Sequence, residues 1–195
     1  MRKILSYFIM VVILVCSAFV LVMNYHIIFN LYCKVASNNI LAMIITISIY
    51  FTLLRKIMLF YENFFHELTH MIFSIFFLEN VNHFFASKTH GEVVTESPNM
   101  NIITASAPYY TPLLTLLLIM LSPVNTSGYY KLLVLITYGI YLAVVAKQIV
   151  MNHHEFLSLR WYGIIYSIVM TFWGSLFIFS WSEGETQCFL NLFKI

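Results

Sequence analysis

The chain carries no charged residue from Ile4 to Val22, an apolar run of about twenty residues that is long enough to cross the hydrocarbon core of a bilayer as a helix. That run excludes most folds. In lipid every backbone N–H and C=O has to be satisfied within its own segment or in a closed barrel, so a single long apolar run spans as a helix. Further apolar runs follow, and the whole chain of 195 residues is 61% hydrophobic and 9% charged, too apolar for a soluble domain. The expectation is an all-α polytopic membrane protein, integral and multi-pass, with residues 1–195 forming one membrane-embedded domain.

About six transmembrane helices are expected, over residues 4–22, 40–54, 57–78, 102–121, 131–150 and 157–181. The start Met1-Arg2-Lys3 suits a signal peptide as well as a first span. No small-x-small cleavage site precedes a soluble domain, however, and Val15 is too bulky ahead of Cys16 for a lipoprotein signal, so a span is expected. Residues 24–39 read as a mixed connection, and Arg55-Lys56 as a cytoplasmic anchor closing the second span. The Lys/Arg distribution, with Lys147 counted among the outer residues, gives a small bias toward a cytoplasmic N-terminus. Trp161, Tyr162 and Trp181 sit where interfacial aromatics belong. Pro108 and Pro112 should bend or delay the first turn of the fourth span, while Ala105-Ser106-Ala107 permits close backbone approach.

Between the third and fourth spans the composition turns abruptly polar, over residues 79–101. Thr89-His90-Gly91 divides two short alternating stretches there, which predicts a β-hairpin with strands Val81 to Lys88 and Glu92 to Ser97. Such backbone is tolerated near a membrane only beside protein or a watery cavity, so the hairpin should fold back over its neighbours. Residues 182–195 form a polar tail with an apolar end. The net charge of +2, spread over scattered basic residues, gives no reason to expect a nucleic-acid partner. Cys16, Cys33 and Cys188 are widely separated and form no C-x-x-C pair, so neither a disulfide framework nor a thiolate metal site is indicated.

The third span is the unusual one. It contains Tyr61-Glu62-Asn63-Phe64-Phe65-His66-Glu67-Leu68-Thr69-His70, which places the pattern H-E-x-x-H in an otherwise apolar helix. His66 and His70 fall one turn apart on one helix face, so both imidazoles can reach one zinc ion, and Glu67 beside them can take a proton from a metal-bound water. With seven His in the chain, chance alone would produce the pattern in roughly one sequence in a hundred of this composition. Ionisable groups in a membrane helix cost roughly 2.5 to 3.5 kcal/mol on insertion scales and persist mainly where they face partners or a polar cavity. His66 lies about 15 Å of helix rise beyond Lys56, which would put such a site within the bilayer.

Two histidines leave a catalytic zinc site short of its usual three protein ligands. The other dense cluster of candidate ligands is Asn152-His153-His154-Glu155, squeezed between two apolar runs. An ordinary solvated loop is the plain reading of such a cluster; beside a helix that lacks a ligand it becomes the leading candidate. His83 and His90 of the hairpin are further possibilities, although a surface position suits them better.

Together the motif helix, the polar hairpin with Gly91, the small-residue segment from Ala105 to Pro108 and the later acidic residue resemble the site-2 protease family of intramembrane zinc metalloproteases, in its compact form without a PDZ domain. The resemblance covers residues 57–170. It implies a zinc cofactor (Zn2+) held by His66, His70 and a distant acidic residue, with Glu67 as catalytic general base and a membrane-protein substrate in the lipid bilayer. The family uses Asp as the distant ligand. This chain has no Asp, so the resemblance assigns that place to Glu155, with His154 as the alternative. Thr69 also stands where a small Gly is usual. Tyr109 and Tyr110 are candidate hydrogen-bond donors to the reacting carbonyl, against the commoner packing role of such residues. Two other readings stay open. A catalytically inactive relative would act through partner binding, and a metal transporter would need more polar residues than spans one, two, four and five offer.

Overall fold

The computed structural model describes residues 2–96, 101–122, 127–151 and 159–193. Its elements are α1 (Arg2–Met23), α2 (Tyr25–Ile49) continued by a π turn (Tyr50–Leu54), α3 (Leu59–Phe76), β1 (Val81–Ala86), β2 (Gly91–Thr95), α4 (Ile102–Ser106) with a 3-10 turn (Ala107–Tyr109), α5 (Leu113–Met120), α6 (Gly128–Met151), α7 (Arg160–Glu183) and α8 (Thr186–Asn191).

Among the described residues three helices are long and apolar enough to cross a membrane: Ile4–Met23, Gly128–Val150 and Trp161–Glu183. The number rises to five if each of two bent pairs counts as one span. Among the described residues the count is thus three to five, where six were expected. α3, interrupted by its own motif residues, is not among the three to five. The fourth expected span is two pieces, Ile102–Tyr109 and Leu113–Met120, inclined by 79°. Pro108 and Pro112 account for the break, because each lacks the N–H that a continuous helix would need there.

Residues 25–39 are helical, where a connection over 24–39 was expected. α2 begins at Tyr25, and its halves Tyr25–Lys34 and Asn39–Leu54 meet at 62°. The polar residues that suggested a loop are satisfied at the end of α7. Lys34 pairs with Glu185, and Asn39 Oδ1 accepts a hydrogen bond from Ser182 Oγ at 3.1 Å. Gly184, in the left-handed region at φ 79°, ends α7 and turns the chain back. The expected tail thus docks as α8, whose Phe189, together with Leu192 just beyond it, is buried in the same cluster as Trp173 and Leu176 of α7. Val134, Leu135 and Tyr138 of α6 complete that core from the other side.

α2 and α6 cross closely at Gly139, where an added Cβ would stand 3.0 Å from Thr46. This crossing matters for the site, because it holds the far end of α6 beside α3. The hairpin matches its expectation apart from its ends: β1 and β2 pair antiparallel from Ala86–Gly91 to Val81–Thr95, with an irregularity between Val81 and His83. Its turn is tied by Ser87, whose Oγ accepts from the His90 N–H at 3.0 Å and whose own N–H donates to the His90 carbonyl at 2.8 Å. Both strands pack on α3.

Candidate metal centre

α3 ends in a Schellman arrangement, with the Glu79 N–H donating to the Ser74 carbonyl and the Leu78 N–H to Ile75. Leu78 takes the left-handed conformation at φ 57° that glycine usually fills. The stop is abrupt, so the chain reverses at once and lays the hairpin along the motif face. Asn63 Nδ2 donates to the Ser87 carbonyl at 2.9 Å and pins the hairpin's tip to the helix. β2 starts where the approach is tightest: a Cβ on Gly91 would lie 2.5 Å from Glu67 Cγ and 2.7 Å from its Oε1. A larger residue there would have to displace the Glu67 side chain.

The two motif histidines converge. Their Nε2 atoms are 3.2 Å apart, and the rings meet edge to face with centroids at 4.9 Å. A tetrahedral zinc with Zn–N bonds of 2.0 to 2.1 Å would hold two nitrogens about 3.3 to 3.4 Å apart, so the pair has very nearly the spacing the metal needs. Each outer nitrogen is also engaged. His70 Nδ1 faces the Thr104 carbonyl at 2.9 Å, and His66 Nδ1 faces Gln148 Nε2 at 3.0 Å. Thr104 is itself fixed by Asn101, which caps α4 by accepting from the Thr104 N–H at 2.9 Å and donates to Glu79 Oε1 at 2.9 Å. His70 is only 6% exposed, and the edge of Tyr109 packs at 5.9 Å from the His66 ring. The donor set therefore fits two of the three ligands a zinc site uses.

Among the described residues no third His, Cys or Glu joins the pair. Glu155 and His154 lie outside the described residues. His83 stacks on Phe85 in β1, and the exposed His90 stands 3.8 Å from Glu92. Tyr110 packs against Phe73 and Tyr166, and its hydroxyl donates to the Ile103 carbonyl at 3.3 Å, so of the two tyrosines only Tyr109 is at the histidines.

One turn before His66, Glu62 is buried and doubly held: Tyr50 donates to Oε1 at 2.5 Å, and Lys147 Nζ meets Oε2 at 2.5 Å. Lys147, counted among the outer residues from the sequence, belongs to this buried pair. A charged pair so enclosed persists only when both partners are present. Lys147 and Gln148, adjacent on α6, thus reach α3 at successive turns, Lys147 at Glu62 and Gln148 at His66. A cavity of about 130 Å³ opens alongside, with His66, Thr69, Glu62, Gln148 and Tyr141 on its wall among mostly apolar side chains. The buried Tyr141 hydroxyl has no hydrogen-bond partner among the described residues, which is unusual enough to call for a role.

Gln148, Lys147, Tyr50, Thr104 and Tyr141 were not legible as site residues. One signal existed: Lys147-Gln148 is a strongly polar pair inside an apolar span, and such groups normally have a partner. No protein-family model, curated protein sequence or solved structure matches the chain.

Proposed function

We propose that this chain is a zinc-dependent intramembrane endopeptidase of the site-2 protease kind, a multi-pass membrane protein that hydrolyses peptide bonds of membrane-embedded substrates. One observation carries the reading: two imidazole nitrogens 3.2 Å apart, each ring oriented from behind, with a glutamate between them in the sequence and a glycine clearing its space. His66 and His70 hold the metal, and Glu155 completes the set, with His154 as the alternative. It supports this choice that Glu155 follows Gln148, which already touches His66, after only seven residues of chain.

Zinc, when bound, supplies a water acidified toward neutrality and a Lewis acid for the scissile carbonyl. Glu67 takes the proton of the attacking water and delivers it to the leaving amine, the work of a general base turned acid. Gly91 keeps the carboxylate of Glu67 within the narrow space between helix and hairpin. A substrate helix hides its carbonyls in its own hydrogen bonds, so it has to be unwound first. A strand edge of the hairpin, lying directly on Glu67, offers an extended segment the pairing it needs. The apolar cavity beside His66 suits a side chain of such a segment, and the Tyr141 hydroxyl is a donor for its backbone.

The direct test is Glu67→Gln. The variant should keep its metal and lose cleavage of a membrane-embedded test substrate by about 100-fold or more, the usual worth of a general base. Undiminished turnover would remove the protease assignment.

A further inference from the structure

Three helices meet at one carboxylate, and it is not a carboxylate that the proposed reaction uses. Glu62 Oε1 accepts from the Tyr50 hydroxyl at 2.5 Å and Oε2 meets Lys147 Nζ at 2.5 Å, so α2, α3 and α6 are joined through a single side chain that is 7% exposed. Tyr50 is wholly buried and opens the π turn, where the Arg55 N–H reaches back five residues to the Tyr50 carbonyl at 2.9 Å. Such turns concentrate at functional sites. One turn earlier on α2 stands Thr46, against which Gly139 of α6 lies. The contacts close a triangle: α6 on α2 at Gly139, α2 on α3 at Tyr50, and α3 on α6 at Lys147.

Stability alone is a poor reason for such a cluster. Acidic and basic residues are the costliest to place in a membrane helix, and apolar side chains of similar volume in place of a buried ion pair commonly give a protein as stable or more so. What the ion pair adds over apolar contact is a single register. Between α3 and α6 the register is otherwise loosely set. The cavity lies between them, with Phe65 and Thr69 on one wall and Ile140 and Val144 on the other, and lipid supplies no hydrophobic drive that prefers one alignment of such faces. Lys147 also lies eight residues beyond the crossing at Gly139, about 12 Å along the helix, so that crossing holds it weakly. A slide of α6 by one turn, about 5.4 Å, puts Val144 where Ile140 was and changes the apolar faces little. The same slide takes Lys147 away from Glu62 and Gln148 away from His66.

We infer that Glu62 and Lys147, with Tyr50 behind them, are positioning residues that fix the register of α6 against the motif helix and so the approach of α6 to His66. The inference rests on the proposed zinc site for what the register serves. Lys147 and Gln148 are adjacent, so the contact that holds the first at Glu62 holds the second at His66. Glu155, the proposed third ligand, follows from this same end of α6, and its starting point is set by the same pair. The effect falls on metal affinity before any chemistry.

The test replaces the pair as a pair. Glu62→Met with Lys147→Met removes both charges and strands neither partner, Lys147→Met alone strands Glu62, and Lys147→Arg keeps the charge. Three quantities are read on each protein in detergent: reversible unfolding, the zinc dissociation constant by competition with a chromophoric chelator, and the distance distribution between two nitroxides. The nitroxides are attached at Phe76→Cys on α3 and Leu133→Cys on α6, both exposed positions, with Cys16, Cys33 and Cys188 changed to Ser. The double variant should unfold no more readily than wild type, yet bind zinc about 10- to 100-fold more weakly, the range seen when groups behind metal ligands are lost. Its distance distribution should broaden or split where wild type gives one distance, and Lys147→Arg should resemble wild type in all three readings. A double variant with wild-type zinc affinity and one wild-type distance overturns the inference. So does a double variant as destabilised as Lys147→Met, because the pair would then serve stability alone. Wild-type protein that takes up no zinc removes the protease reading, and the distance distributions still decide the register.

Discussion

Replacing Gly91 with alanine adds one methyl group at the tightest point between hairpin and motif helix. The new Cβ would stand 2.5 Å from Glu67 Cγ, 2.7 Å from Oε1 and 2.9 Å from Cδ, where ordinary contact starts at 3.4 Å. Either the hairpin or the Glu67 side chain has to retreat by about 1 Å. The hairpin is tied to the helix at both ends, at its tip by Asn63 to the Ser87 carbonyl and at its base by the Glu79 N–H to the Ser74 carbonyl at 2.8 Å. The glutamate, with three rotatable bonds, therefore gives way. A displacement of about 1 Å at a reacting group costs on the order of 100-fold in rate, whereas overpacking of this kind costs about 1 to 3 kcal/mol in stability. Gly91→Ala should then lose most of its cleavage of a membrane-embedded substrate while keeping its zinc, because neither histidine is touched. The assay is single-turnover cleavage in detergent or liposomes with metal content measured on the same sample. Wild-type turnover in Gly91→Ala would refute the placement of Glu67 as the base, and joint loss of zinc and activity would refute the claim that the methyl acts on Glu67 alone.

Two further outcomes concern stability. Lys147→Met leaves the buried Glu62 with only the Tyr50 hydroxyl among the described residues and should destabilise the protein by about 3 to 5 kcal/mol in reversible unfolding from mixed micelles, while Glu62→Gln with Lys147→Met should recover much of the loss; a single variant as stable as wild type would show that the pair is not buried. Leu78→Gly relieves a left-handed residue whose side chain is 75% exposed and should raise stability by about 0.5 to 1 kcal/mol, and a fall would show that the leucine is held by a contact outside the chain.

What could be read from the sequence divides along a physical line. Periodic or local features were legible: the apolar runs of α1, α6 and α7, the hairpin around Thr89-His90-Gly91, and the helical spacing of His66 and His70. Features decided by tertiary partners were not. Lys34 and Asn39 looked like loop residues because their partners, Glu185 and Ser182, lie far along the chain, and the same holds for Gln148 behind His66. The two prolines announced a disturbance at Pro108 and Pro112, but a bend of 79° follows from how α4 and α5 pack, which no local rule supplies. Gly91 was legible as a turn residue, and its use to clear Glu67 became visible only once β2 lay on α3.

The zinc site itself is tested most directly by metal analysis of protein purified without added metal, across wild type, His66→Ala, Glu67→Gln, Glu155→Ala and Glu155→Asp. The account predicts about one zinc per chain in wild type and Glu67→Gln, none in His66→Ala, a marked fall in Glu155→Ala and partial retention in Glu155→Asp, in keeping with a site of three protein ligands. Background zinc in wild type, or the same zinc with and without His66, would contradict it.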